Sequence, residues 1–342
     1  MKIVVFGPEK RTGALVGNEV VDLSLAHAKY LREKQGERHP IALATALVPH
    51  DLWRFIEGGR RALDGAQTAL DHLANSADRK GPRGDTLAYP ADAVKLHAPR
   101  AQGARVACAG GNFADHTEAM YARAAARGEP RPKQEGLSVH DMIRKTGIWG
   151  FWKVDRESLG QDGIIPYPAR AKRLDYEGEL AVVISKRGRD IRAGDIKDYV
   201  WGVTLLGDWS IRLFPEPGHV KFVMQKNFDG CCSIGPCIVV DEGIDPFNTQ
   251  VETWVNGERR QNYSTKDMVY SFGEYLEYLS TDFTFHAGDM IAGGTAAGTA
   301  ADSSPMLPDG TPAPETFLKP GDKVEIRSPG IGVLRTAVVA KA

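Results

Sequence analysis

The sequence predicts a mixed α/β protein rich in β-structure, with a small N-terminal α/β unit over residues 1–99 and a strand-dominated unit over residues 100–342. Three observations lead to this. Residues 174–184 alternate at period two, placing Leu174, Tyr176, Leu180, Val182 and Ile184 on one face of a strand. Helical periodicity is clearest near the N-terminus, where Leu63, Ala66, Leu70 and Leu73 recur at spacings of three and four. Beyond it, short apolar segments alternate with turn residues, and little reads as long helix.

In the first unit, strand signals at residues 2–6, 12–16 and 20–23 form a β-meander ahead of that helix. A polar loop over 75–85, with Pro82 and Gly84, leads through Val94, Lys95 and Leu96 to Pro99. No chemical constellation stands here. A formal net charge of −1 argues against a nucleic-acid partner and gives no bias toward a membrane surface. No apolar run approaches the ~18 residues that span a bilayer, and the strand at residues 1–6 is too brief for a signal peptide. The four cysteines, Cys108, Cys231, Cys232 and Cys237, show no zinc-type pairing. They read as reduced, mostly buried thiols of a cytoplasmic protein.

The chemistry gathers in the second unit. Opposite the apolar face of residues 174–184 lie Asp175, Glu177 and Glu179, followed by the apolar Ala181 and Val183. Two glutamates a strand repeat apart at the edge of a buried region repel unless protonated or neutralised by a cation. An oxygen-rich site suits Mg²⁺, Mn²⁺ or Ca²⁺ rather than zinc. Residues 199–207 form an apolar strand ending at Asp208, a third carboxylate able to complete the set. Residues 105–109 run through Gly110-Gly111 into a helix starting near Asn112 or Asp115, with His116 on its first turn as a base or hydrogen-bond donor. Residues 117–149, charged and interrupted by Gly128, Pro130 and Pro132, read as a lid, and the aromatic strand at 147–154 returns the chain to the core. The exit Gly293-Gly294-Thr295 offers backbone N–H groups to an oxyanion, but lacks the lysine of a phosphate-binding loop. No Gly-x-Ser-x-Gly elbow is present.

These segments together resemble the fumarylacetoacetate hydrolase family. Gly110, Asn112 and His116 are similar to its Gly-x-Asn-Tyr-x-x-His signature, with Phe113 in place of tyrosine. Asp175-Tyr176-Glu177-Gly178-Glu179-Leu180 matches its acidic strand, and Asp208-Trp209-Ser210-Ile211-Arg212 its Asp-x-Ser-x-Arg segment. Lys226, Phe228, Asp229, Gly235 and Pro236 follow in register, then Val255 to Glu258 with Gln261, and finally Gly288, Asp289, Ile291, Gly294, Thr295 and Gly298.

The resemblance implies a β-roll catalytic unit, a mixed sandwich or barrel, and a Mg²⁺- or Mn²⁺-dependent enzyme acting on 2-oxo acids or 1,3-dicarbonyls. It places metal ligands at Glu177, Glu179 and Asp208, and catalytic groups at His116 and Lys226. Substrate contacts fall at Arg212, Gly294 and Thr295. It also implies a homodimer formed through the second unit. The expected reaction is C–C bond hydrolysis of an acylpyruvate or related β-diketone, as in the catabolism of aromatic compounds. Isomerisation, dehydration or decarboxylation of a 2-oxo acid is the alternative, and a non-catalytic metal-binding module comes last. Three residues after the histidine, many members carry a glutamate; here that position is Ala119, and Glu118 lies roughly 200° around the helix from His116. His116 is therefore expected to take another partner, Glu135, Asp141 or the substrate itself. Pro215 stands where members often carry a glutamine, and residues 300–317 form a longer segment than in minimal members.

Overall fold

The computed structural model describes residues 1–126, 128, 136–212, 221–308 and 311–341; Glu135 and Pro215 lie outside them. The N-terminal meander forms as its alternation requires, with antiparallel strands Lys2–Phe6, Arg11–Val16 and Glu19–Asp22. Helix Gly59–Ala74 carries the periodic leucines. Three further helices, Leu23–Gln35, Pro40–Leu47 and Leu52–Glu57, fill what the sequence left unassigned. The first starts directly after a strand because the Asp22 side chain accepts the Leu25 N–H at 2.9 Å, capping the helix.

Strand Lys2–Phe6 also pairs with Cys232–Val239, so one sheet runs across the position-99 boundary. From Arg11–Val16 and Lys2–Phe6 its order continues through Cys232–Val239, Val200–Asp208, Gly178–Ile184, Met290–Ala292 and Val106–Ala109 to Gly150–Lys153. A second sheet of five strands, ordered Glu258–Ser264, Gln250–Val255, Lys323–Ser328, Gly332–Val339 and Gly163–Pro166, packs on it. The result is a mixed α/β, sheet-rich roll of two layers, with no closed barrel among the described residues.

The alternation in residues 174–184 predicts the packing. Leu174, Tyr176, Leu180, Val182 and Ile184 enter the apolar core that also holds Val251, Val324 and Ile326 of the second sheet. Ala181 and Val183 enter a separate core with Leu52, Phe55 and Ile56. The acidic face turns apolar at Ala181 because the N-terminal helices cover it there. One detail differs from a continuous strand. The ladder breaks at Tyr176-Glu177, separating Arg173–Asp175, which pairs with Ser210–Arg212, from Gly178–Ile184. Gly178 allows the sheets to meet at this break, since a Cβ there would sit 2.1 Å from Thr253 Oγ1.

Asn112 ties the histidine-bearing segment to this scaffold. Its buried amide donates to the carbonyls of Tyr270 and Gly293, both at 2.9 Å, and accepts the Tyr270 N–H at 2.8 Å. Asn112→Ala strands three buried partners, so the unfolding free energy should fall by about 2–4 kcal/mol, read from the denaturant midpoint at unchanged slope.

Candidate active site

Glu177, Glu179 and Asp208 come together as expected: all three are buried, and each offers a carboxylate oxygen within 4.8 Å of the others. The backbone explains why. Glu177 and Glu179 share a face at i and i+2. The Asp208 N–H donates to the Glu177 carbonyl at 2.9 Å, which sets the third carboxylate beside the first on the neighbouring strand.

Basic groups surround the cluster. Lys226 Nζ donates to Glu177 Oε2 at 2.6 Å, and to Asp208 Oδ2 and Ser210 Oγ at 2.7 Å. Arg212 reaches Glu177 Oε1 and, at 3.1 Å, Asp175 Oδ2. Behind Asp208, Lys153 Nζ lies 2.5 Å from Oδ1 and donates to the carbonyls of Lys226 and Cys231. Burial resists ionisation of Glu177, but Lys226 and Arg212 override it and hold the carboxyl well below the usual range. Glu179 goes the other way. Burial, then the Asp208 and Glu177 carboxylates, push it upward. It accepts the Gly294 N–H at 3.0 Å and has no ion pair among the described residues. A buried carboxylate with no cation of its own, beside two others, fits a hard divalent ion.

His116 stands on helix Ala114–Ala126, on the wall of the same cavity as Glu177, Glu179, Arg212 and Lys226. Its partner among the described residues is not the Asp141 that the sequence suggested. Asp141 bonds to Ser138 in an exposed helix cap, and Glu135 is outside the described residues. Instead His116 Nδ1 lies 2.6 Å from Oδ2 of Asp302, which is 186 positions away and almost wholly buried. Asp302 sits in the short helix Ala300–Ser303, where Thr299 accepts its N–H, and its second oxygen accepts the Gly298 N–H at 3.0 Å. A carboxylate beside Nδ1 favours the tautomer with its hydrogen there, which in the neutral imidazole leaves the Nε2 lone pair toward the cavity side. Asp175 anchors the same helix, accepting the N–H groups of Ala300 and Ala301. The extra segment at 300–317 thus supplies the histidine's partner. Its one sequence signal was the Thr299-x-x-Asp302 spacing of a helix cap.

Thr295 lines the cavity, with its hydroxyl donated to the Gly178 carbonyl at 3.0 Å and accepting from Gln261 at 2.8 Å. The Gly294 N–H, expected to face an oxyanion, is the one held by Glu179. Parts of the predicted lid appear as helices Ala114–Ala126 and Val139–Thr146. All four cysteines are free and buried. No helix among the described residues is long and apolar enough to cross a membrane.

A buried acidic triad in a two-layer roll, faced by lysine, arginine and a histidine–carboxylate pair, defines a class of hard-metal enzyme site. Residues 105–339 match the Fumarylacetoacetate (FAA) hydrolase C-terminal family. The chain belongs to the fumarylacetoacetate hydrolase family. It is similar to the oxaloacetate tautomerase YisK of Bacillus subtilis, at 32% identity over 96% of this chain and 98% of that one. It is also similar to the mitochondrial oxaloacetate tautomerase Fahd2a of Rattus norvegicus, at 29% identity over 85% and 80%. Among solved structures, a fumarylacetoacetate hydrolase from psychrophilic Exiguobacterium antarcticum matches over 100% of both chains with a TM-score of 0.69 and 27% identity. A maleylpyruvate hydrolase from Sphingobium sp. SYK-6, solved with manganese(II) and pyruvate, shares the fold over 100% of both chains with a TM-score of 0.64 and 22% identity.

Because Glu179 is held toward its protonated form, cation binding should displace a proton from it. Titration with Mn²⁺ in buffers of different ionisation enthalpy should show proton release on binding. Affinity should weaken by up to about tenfold per pH unit as the solution is acidified.

Proposed function

We propose that this enzyme catalyses divalent-metal-dependent keto–enol tautomerisation of a 2-oxo acid, with Mg²⁺ or Mn²⁺ held by Glu177, Glu179 and Asp208. The observation that carries this reading is the His116–Asp302 pair, 2.6 Å apart on the wall of the acidic cavity. Tautomerisation moves one proton between C3 and the C2 oxygen, and breaks no carbon–carbon bond. It asks the protein for one well-placed proton carrier, which this pair supplies. The names of the relatives in Bacillus subtilis and Rattus norvegicus support the same choice.

When bound, the divalent cation supplies Lewis-acid stabilisation of the negative charge that develops on the substrate oxygens. The chain's own groups do the rest. His116 Nε2 takes the C3 proton while Asp302, still an acceptor at Nδ1, stabilises the imidazolium that forms. The proton is then delivered to oxygen, from the same ring or from solvent. Arg212 and Lys226 keep Glu177 ionised and bring positive charge to the cavity floor.

Hydrolysis of an acylpyruvate is the second reading, favoured by the name of the Exiguobacterium structure. The same histidine can direct a water at a carbonyl carbon. The products separate the two, since only hydrolysis yields pyruvate and a carboxylic acid.

His116→Ala should lower kcat for enol-oxaloacetate ketonisation by a factor of about 10²–10⁴, with Mn²⁺ affinity retained. Glu179→Gln should abolish both metal binding and turnover. Activity persisting in excess chelator, or a fully active His116→Ala enzyme, would overturn this reading.

A further inference from the structure

The cavity holding the triad is built for more than a four-carbon acid. Its volume is about 560 Å³, within the roughly 300–1,000 Å³ that ordinarily takes drug-sized ligands. Above the charged floor the described wall is predominantly apolar, with Met120, Ile143, Trp149, Phe151, Phe222 and Phe317 set among a smaller polar share that includes Tyr121, Arg123 and Gln225. The change comes close to the reacting centre, because Lys226 Nζ lies 5.0 Å from the centroid of the Phe151 ring.

The aromatic residues form one continuous surface. Phe222 packs edge-on against Phe151, with centroids 5.2 Å apart, and against Trp149 at 5.6 Å. Trp149 and Phe222 remain 45% and 37% exposed and touch each other at the cavity, so together they offer a contiguous apolar patch to a ligand. Trp149 is seated deliberately: a Cβ at Gly110 would fall 2.6 Å from its ring, so this glycine makes room for the indole. The cations among the described lining residues are directed at the protein. Arg123 donates to the carbonyls of Asp302 and Ser304 and to Met306 Sδ. Arg212 is engaged by Asp175 and Glu177, and Lys226 by Glu177, Asp208 and Ser210. A distal carboxylate meets aromatic carbon here, where an aryl ring would bury apolar area and stack at the preferred edge or offset geometry.

We infer that the preferred substrate is a 2-oxo acid bearing an aryl or branched apolar group beyond its reacting carbons, seated against Trp149, Phe151 and Phe222. The inference rests on the 2-oxo acid reading above and specifies its substrate class. Oxamate and N-phenyloxamate present the same 2-oxo acid head without and with a ring, and neither turns over. With saturating Mn²⁺, N-phenyloxamate should bind the wild-type enzyme at least tenfold more tightly than oxamate by calorimetry. Trp149→Ala and Phe222→Ala should each shrink that ratio to within about threefold, whereas Trp149→Phe should keep most of it. The ratio is taken within each variant, so a general loss of folded protein does not imitate the effect, and the wild-type ratio stands as a test by itself. Equal binding of the two ligands to the wild-type enzyme overturns the inference while leaving the 2-oxo acid reading in place. Failure of both to bind in the presence of Mn²⁺ overturns that reading and the inference with it.

Discussion

The structure depends on placing four carboxylates where water is scarce. Asp175, Glu177, Glu179 and Asp208 are all buried, and an uncompensated buried charge costs several kcal/mol. Three of them are balanced by the chain. Asp175 takes Arg212 and a helix N-terminus, Glu177 takes Arg212 and Lys226, and Asp208 takes Lys226 and Lys153. Glu179 is left over. The deficit of one cation sets the cluster apart from a structural ion-pair network and fits a divalent metal. The same contacts fix Arg212 and Lys226 in place on the wall of the cavity.

The scaffold delivers these groups with little freedom. Glu179 and Asp208 are set by adjacent strands of one ladder, Glu177 directly precedes the first of them and its carbonyl accepts the Asp208 N–H, and Lys153 lies on the edge strand Gly150–Lys153. Gln261, from the second sheet, accepts the Gly178 N–H at 3.1 Å and donates to Thr295, joining the acidic strand to the glycine-rich exit. His116 is held differently. His116 belongs to a helix whose grip on segment 300–306 comes from its own contact with Asp302 and from Arg123 on the same helix. The acidic triad is therefore held by the sheet, and His116 by a helix that lines the same cavity.

Much of this was legible because it is local. Alternation in residues 174–184 assigned each side chain to its core, and the acidic positions on one face named the triad once Asp208 was seen to end the next strand. What stayed hidden was non-local or geometric. No spacing rule connects His116 with Asp302, since the pair exists only because the sheet brings the end of one connection over another. The break at Glu177 depends on how closely Thr253 approaches Gly178, a property of sheet packing rather than of the strand. The helices from Leu23 to Glu57 escaped notice because several of their inward positions are alanine, as at Ala26, Ala28 and Ala44, which weakens an apolar stripe.

The pairing of Lys2–Phe6 with Cys232–Val239 has a consequence for biosynthesis. A ribosome emits the first strand long before its inner neighbour; Leu96–His97 covers Val5 and Phe6 early, but the Lys2-Ile3 end waits with open N–H and C=O groups while most of the polypeptide is made. An unpaired strand end of this kind invites pairing with other nascent chains. Closing it requires a contact of high sequence separation, which slows folding. Yield in a cell should then be governed by chaperone supply and synthesis rate as much as by the stability of the finished fold.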